Sequence, residues 1–420
     1  MRVILDTQDL TDAVTLAAKV AALNGRMKKA KPILGAAILR FDRDGARVQA
    51  SNLELELDHA IAAKSYWLTA PGVVAVDAAE LKASLPKAKD SRNVELYVDP
   101  TTNQLILVAD QDEYGIDLLD PTDHPCWDRM PAPLADSRRD LAAVSTADFA
   151  AAATNCAACT DPDSTRYALA GILIEPVETN DRSINLVGTD GRRMLVETID
   201  ADLADTFARL AWQEPETVKA VPSYQITLLA SHAKLIAAAV RKGRKGPLAD
   251  DRLSIERVDD GTTAYRCGPV VFRAKHVHGR FPNYRAVRPS GWNGEFRVDL
   301  KATEAIVARA ARLATRENRG VHLLAAEASM MLAVDSETKK GAFRYRGHVA
   351  AHSNSCEAAD LYLDANYLLD ALKANRASAD ADQVTCRYID RKSPFVIESR
   401  PDDAPYRKTT SVVMPLNRDR

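Results

Sequence analysis

Residues 2–22 read RVILDTQDLTDAVTLAAKVAA. Residues 2–5 have the make-up of a short strand, and from Gln8 to Ala22 the apolar positions Leu10, Ala13, Val14, Ala17 and Ala21 recur at helical spacing. A strand thus runs directly into an Ala-rich amphipathic helix. The same arrangement returns twice. Residues 140–144 lead into 147–159, with Phe149, Ala153 and Cys156 on one helical face; residues 296–300 lead into 303–313, with Ile306, Val307, Ala310 and Leu313. Self-similarity at long separation is the mark of a repeated unit.

The remainder of each third repeats as well. A strand pair follows each first helix: 33–41 with 48–52, 169–175 with 184–189, and 321–325 with 330–334. Polar turn residues such as Asp42-Arg43-Asp44-Gly45 separate them, as a hairpin needs. A further strand then enters a second helix, at 72–76 into 78–88, 218–222 into 224–241, and 360–363 into 365–375. Closing strands are expected at 94–98 and 104–109, at 252–258 and 264–273, and at 383–390 and 395–398. The implied fold class is α+β, with two helices packed on antiparallel sheet, used three times in tandem. Pro-punctuated passages near 120–136 and 288–293 set the expected domains at 1–130, 137–287 and 292–420.

Composition excludes several classes. The chain has 420 residues, 46% hydrophobic and 27% charged, which suits a protein able to bury a core. A net charge of −2 excludes a uniformly basic nucleic-acid coat, though not charge segregated by face. The amino terminus lacks the basic and apolar regions of a signal peptide, and no apolar run is long enough for a membrane span. The six cysteines therefore read as reduced, buried thiols, and the expected location is cytoplasmic.

Positive charge recurs at or near the helices of all three copies: Lys19, Arg26, Lys28, Lys29 and Lys82, then Lys234 and Arg241, then Lys373. On any single helix such residues merely solvate a surface and favour the helix C-terminus. Recurrence in each copy instead suggests one basic wall. Tandem units whose edge strands pair would curve into an arc, and an arc closed by self-association is a ring accepting a polyanion.

These residues resemble a known family, the bacterial DNA polymerase III beta subunit or sliding clamp. The resemblance rests on Arg166-Tyr167-Ala168-Leu169-Ala170-Gly171, Thr189-Asp190-Gly191-Arg192-Arg193-Met194, Gly279-Arg280-Phe281-Pro282-Asn283-Tyr284-Arg285 and Val412-Val413-Met414-Pro415-Leu416. Pro32-Ile33-Leu34-Gly35 and Leu53-Glu54-Leu55-Glu56 are also similar. The resemblance implies three DNA-clamp domains forming half of a closed ring, a head-to-tail homodimer around double-stranded DNA, and a role as processivity factor in DNA replication. It adds Arg166 and Tyr167 to the DNA-facing residues. Implied partners are the polymerase III alpha subunit, a clamp-loader ATPase, and other clamp-motif proteins such as repair polymerases, ligase and mismatch-repair proteins; the protein would be nucleoid-associated.

By the same resemblance, a partner-peptide pocket has Leu169, Met194, Pro282, Val287, Val412 and Met414 as its apolar floor, beside Pro415 and Leu416. Thr189, Gly191, Arg192 and Arg193 form the rim, with Tyr367 and Pro394 as the far wall. Taken singly, apolar strand residues such as Leu169 and Val287 read equally well as core. Three departures from the family pattern stand out: Arg192 where histidine is common, a tail Asn417-Arg418-Asp419-Arg420 beyond Leu416, and Arg312 beside Leu313 where the family sets apolar residues against the partner's first domain, here Tyr114.

The remaining motifs are weak. Cys156-Ala157-Ala158-Cys159 is a CxxC without a second pair, ending an Ala-rich helix rather than opening one. His276-Val277-His278 puts two imidazoles on one face of an expected strand without a third ligand nearby, so no metal is expected. No phosphate-binding Gly-x-x-x-x-Gly-Lys run occurs, and no cofactor or catalytic constellation is expected. The alternatives left open are a divergent accessory or resistance clamp of the same fold, and a thiol redox enzyme using Cys156 and Cys159.

Overall fold

The computed structural model describes residues 1–23, 25, 27–43, 45–61, 66–126, 140–163, 167–177, 180–204, 207, 225–242, 251–259, 261–289, 291–314, 319–326, 328–338, 341–353, 359–378, 382–400 and 407–416. In chain order it begins β1 (Arg2–Asp6), α1 (Thr7–Ala22), β2 (Ala36–Asp42), β3 (Gly45–Ser51), β4 (Leu55–Ile61), β5 (Tyr66–Ala70), β6 (Gly72–Asp77) and α2 (Ala78–Ser84). Then come β7 (Asn93–Asp99), β8 (Gln104–Ala109), β9 (Asp112–Asp117), β10 (Asp140–Ser145), α3 (Thr146–Ala158), β11 (Gly171–Val177), β12 (Asn180–Thr189) and β13 (Arg193–Leu203). Next are β14 (Ile226–Leu229), α4 (Ala230–Lys242), β15 (Arg252–Asp259), β16 (Thr262–Cys267), β17 (Val270–Lys275), β18 (Gly294–Asp299) and α5 (Leu300–Leu313). The chain closes with β19 (Gly320–Ala326), β20 (Ser329–Thr338), β21 (Gly341–Ser353), β22 (Ala359–Asp364), α6 (Ala365–Ser378), β23 (Gln383–Tyr388), β24 (Phe395–Ser399) and β25 (Lys408–Val413). Among the described residues no helix is long and apolar enough to cross a membrane.

The chain divides into two compact units, one of residues 1–146 with 238–276 and one of 147–237 with 277–420. The first holds an antiparallel sheet in the order β5-β1-β7-β8-β9. Its second sheet runs β6-β2-β3-β4-β17-β16-β15-β10, also antiparallel. Helix α1 packs on α2 and across β2, β3 and β4, burying Leu10, Ala13, Val14, Ala17 and Ala21 as its spacing predicts.

The second unit is an antiparallel run β14-β11-β12-β13-β25-β24-β23-β18-β21-β20-β19-β22. Helices α5 and α6 pack on each other, and their apolar faces share a core with Leu323, Leu332, Leu361 and Phe395. Glycine is required where α3 meets β12: a Cβ on Gly188 would stand 2.0 Å from the Cys156 carbonyl oxygen.

Four of the strand-to-helix junctions share one device. The last strand residue is an aspartate whose carboxylate accepts from the first free amide groups of the helix: Asp6 for α1, Asp77 for α2, Asp299 for α5 and Asp364 for α6. Such caps satisfy donors that the helix cannot satisfy itself, and each is worth about 1 kcal/mol.

Three local expectations need correction. The helix expected over 224–241 starts only at Ala230, because Ile226 and Leu228 pair as β14 with β11; residues 218–222 and Tyr224 lie outside the described residues. The helix expected to reach 88 stops at Ser84, since Leu85 is extended ahead of Pro86, the conformation a following proline favours. Strand β17 ends at Lys275, so His276 and His278 are not on a strand.

Candidate partner-peptide site

The residues expected to form the rim lie in the turn from β12 to β13. Gly191 has φ +83, the left-handed region where a side chain is strained. The turn is held by its own side chains. Thr189 Oγ1 accepts from the Gly191 amide and donates to the Arg193 carbonyl; Asp190 Oδ1 accepts from the amides of Arg192 and Arg193 at 2.9 Å each.

The two rim arginines are not alike. Arg192 is exposed, whereas the Arg193 side chain is only 13% exposed and its donors are committed. Its Nε donates to Asp190 at 3.0 Å, Nη1 to Asp370 of α6 at 2.6 Å and Nη2 to the Ala158 carbonyl of α3 at 2.8 Å. The guanidinium also lies over the half-buried Tyr367 ring, 4.4 Å from its centroid. Burial alone would lower the Arg193 pKa, but the acidic groups around it, Asp370 and Asp190 among them, keep it raised and the side chain charged.

Strand register places two of the residues expected in the floor. Met194 stands opposite Val412 in the β13–β25 pair, and both belong to a buried cluster with Leu173, Val187, Phe281, Tyr284 and Val396. Leu169 is buried in the single turn before β11. Beyond β25 the chain stays attached, with the Met414 amide donating to the Arg192 carbonyl at 2.9 Å and the Leu416 amide to the Tyr362 carbonyl at 2.8 Å. Met414, Pro415 and Leu416 are half-buried, as is Pro394 just before β24. Pro282 and Val287 lie on a strap whose Phe281 and Tyr284 are buried, but both are themselves open to solvent, Val287 by 43%.

The structure thus gathers Met194, Val412 and Met414 with the rim turn. Lys19, Lys29, Lys82, Lys234, Arg241 and Lys373 are exposed. Arg26, Arg166 and the tail 417–420 lie outside the described residues, as do the side chains of Lys28 and Tyr167. Tyr114 on β9 is 42% exposed; Arg312 is exposed and Leu313 half-buried in the last turn of α5.

The thiol pair is poorly placed for chemistry. Burial holds Cys156 well above the ordinary thiol range and pushes Cys159 up to about 12, so neither supplies a thiolate near neutral pH. His276 Nε2 lies 2.7 Å from Thr263 Oγ1, and no group of three metal-ligating side chains occurs among the described residues.

Sequence reasoning missed Asp370 and Glu175. Asp370 sits three residues after Tyr367, so its place on the same helical face was readable from spacing, but its reach to Arg193 was not. Glu175 lies among apolar strand residues, and a charged residue in so apolar a strand is itself a signal.

The fold is that of the bacterial DNA polymerase sliding clamps. The sliding clamp of Pseudomonas aeruginosa matches over 99% of this chain and 99% of its own, with a TM-score of 0.77 and 19% sequence identity. In sequence the chain is similar to Beta sliding clamp of Salmonella typhimurium, 24% identical over 253 residues, which is 60% of this chain and 58% of the relative. Beta sliding clamp of Proteus mirabilis is 22% identical over 405 residues, 92% of each. The first of these relatives is therefore spanned for little more than half its length. No family model matches the chain.

Proposed function

We propose that this chain is the protomer of a homodimeric ring that encircles duplex DNA, slides on it and tethers a DNA polymerase. The observation that carries the reading is the agreement of fold with a DNA polymerase sliding clamp along 99% of both chains. The ring would be built of three domains per protomer, 1–130, 137–287 and 292–420. Closure would set Tyr114 of one protomer against the Arg312–Leu313 end of α5 in its partner.

A closed ring needs no tight grip. Contacts from lysine and arginine to phosphate are blind to sequence and weaken with salt, so they permit sliding. The exposed Lys19, Lys29, Lys82, Lys234, Arg241 and Lys373 are proposed contacts, and Arg26, Lys28, Arg166 and Tyr167 are proposed as well. A polymerase held by a short peptide stays at high effective concentration at the primer end. Processivity then requires no chemistry from the clamp, and opening would fall to a separate loader ATPase. Repair polymerases, ligase and mismatch-repair proteins would share the same pocket.

The pocket consists of Leu169, Thr189, Gly191, Arg192, Arg193, Met194, Pro282, Val287, Tyr367, Pro394, Val412, Met414, Pro415 and Leu416. A peptide would insert leucine or phenylalanine into it while the rim backbone fixes its register. A second reading keeps the fold and changes the duty to an accessory or resistance clamp; the exposed charge of Arg312 favours it.

Titration with a fluorescein-labelled peptide ending in Leu-Phe tests the pocket. Met414→Ala should weaken binding about tenfold or more, as truncation of a central apolar contact does, with unchanged thermal unfolding. Equal affinity for variant and parent would misplace the site.

A further inference from the structure

The strap 281–288 packs Phe281 and Tyr284 on the second unit's sheet, and its segment 284–288 is fastened at both ends to buried carboxylates. At one end Glu175 of β11, fully buried, accepts from the Tyr284 hydroxyl at 2.6 Å and from Arg285 Nη2 at 2.7 Å on one oxygen, and from Gln225 Nε2 at 3.1 Å on the other. At the other end Glu398 of β24 accepts from Arg288 Nη2 at 2.9 Å and is paired with Arg387 and with Lys408. Burial works against ionising Glu398, but Lys408, Arg288 and Arg387 outweigh it and hold its carboxyl below the usual range.

Between these anchors lie Ala286 and Val287, in the short turn Tyr284–Val287, where the Asn283 side chain caps the Ala286 amide. So short a turn has few bonds of its own. Its underside is tied down through Tyr284, while Pro282, Ala286 and Val287 face solvent. An exposed valine is unremarkable alone; one carried between two arginines that each pair with a buried carboxylate is held in a fixed place. Ion pairs between a buried carboxylate and a partly exposed arginine add little net stability compared with apolar packing, so stability does not account for two of them beneath one strap.

We propose that Glu175 and Glu398 are positioning residues of the peptide site, acting through the strap to fix Val287 where an apolar peptide side chain meets it. The inference rests on the pocket reading above. Neither carboxylate touches the peptide; each sets the strap that does.

A double-mutant cycle separates positioning from general support, since residues acting through one another are non-additive. The probe is the fluorescein-labelled Leu-Phe peptide, and the variants are Val287→Ala, Glu175→Gln and their combination, with Tyr284→Phe as a milder change that removes one hydroxyl. Val287→Ala should raise Kd about fivefold to tenfold, Glu175→Gln by a similar factor and Tyr284→Phe by less. In the Val287→Ala background Glu175→Gln should add almost nothing. If Val287→Ala weakens binding while Glu175→Gln leaves it unchanged, or multiplies in full with it, the positioning role is wrong and the pocket stands. If Val287→Ala and Met414→Ala both leave Kd unchanged, the pocket reading falls and the inference with it.

Discussion

Two turns in different parts of the chain are built alike. In the turn 189–193, Thr189 and Asp190 hold the backbone around Gly191; in the turn 51–55, Ser51 Oγ accepts from the Leu53 amide and Asn52 Oδ1 from the amides of Glu54 and Leu55. Even the next contact is shared, the Met414 amide reaching Arg192 as the Lys275 amide reaches Glu54. Yet Leu53 sits at φ +75 with its side chain 40% exposed, where Gly191 has no side chain to strain. Leu53→Gly should therefore raise stability by about 0.5–1 kcal/mol, read as a higher urea midpoint. A lower midpoint would mean that the leucine makes contacts worth more than its strain. Three buried histidines act in the other direction. Burial lowers His59, His124 and His232 from 6.5 to about 4, so each is neutral when folded but takes a proton when unfolded. Between pH 6.5 and 4 the unfolded chain binds the extra protons, so each unit by which the pH drops removes about 1.4 kcal/mol of stability per histidine. Urea unfolding at pH 7 and 5 should show this loss, and substitution of His232 by Gln should reduce it; equal midpoints at both pH values would contradict it.

The helices and strands with their own periodic signal were readable beforehand. Helix α1 lies where spacing puts it, because it buries one regular face and is opened by the Asp6 cap, and β8 and β24 lie where their apolar runs put them. Strand β14 was not readable, since Ile226 and Leu228 also fit the helix that follows, and only their pairing with β11 decides between the two. The rim turn could be read from Thr189, Asp190 and Gly191. The lock upon it could not, because Asp370, Tyr367 and the Ala158 carbonyl come from distant parts of the chain to meet one guanidinium. That lock joins the rim to α3 and α6. Arg193→Ala should weaken peptide binding about tenfold and quicken amide exchange over 189–193, because it leaves Asp190 and Asp370 without their shared cation. Unchanged exchange in that segment would show that the turn stands without the lock.

Over the entire chain, the repeat of strand, helix and paired strands was the most informative feature of the sequence, because each copy has a helical face that only a sheet can cover. The same logic explains how an identity of 19% accompanies a full-length match in fold. The proposed function is topological, and topology is what should be measured. The protein is assembled with a clamp loader and ATP on nicked circular duplex DNA, washed in high salt to strip contacts to phosphate, and followed after a single cut of the circle. A ring should stay on the intact circle through the wash and be lost once ends are available. Release from the intact circle by salt, or retention on the linear product, would contradict encirclement.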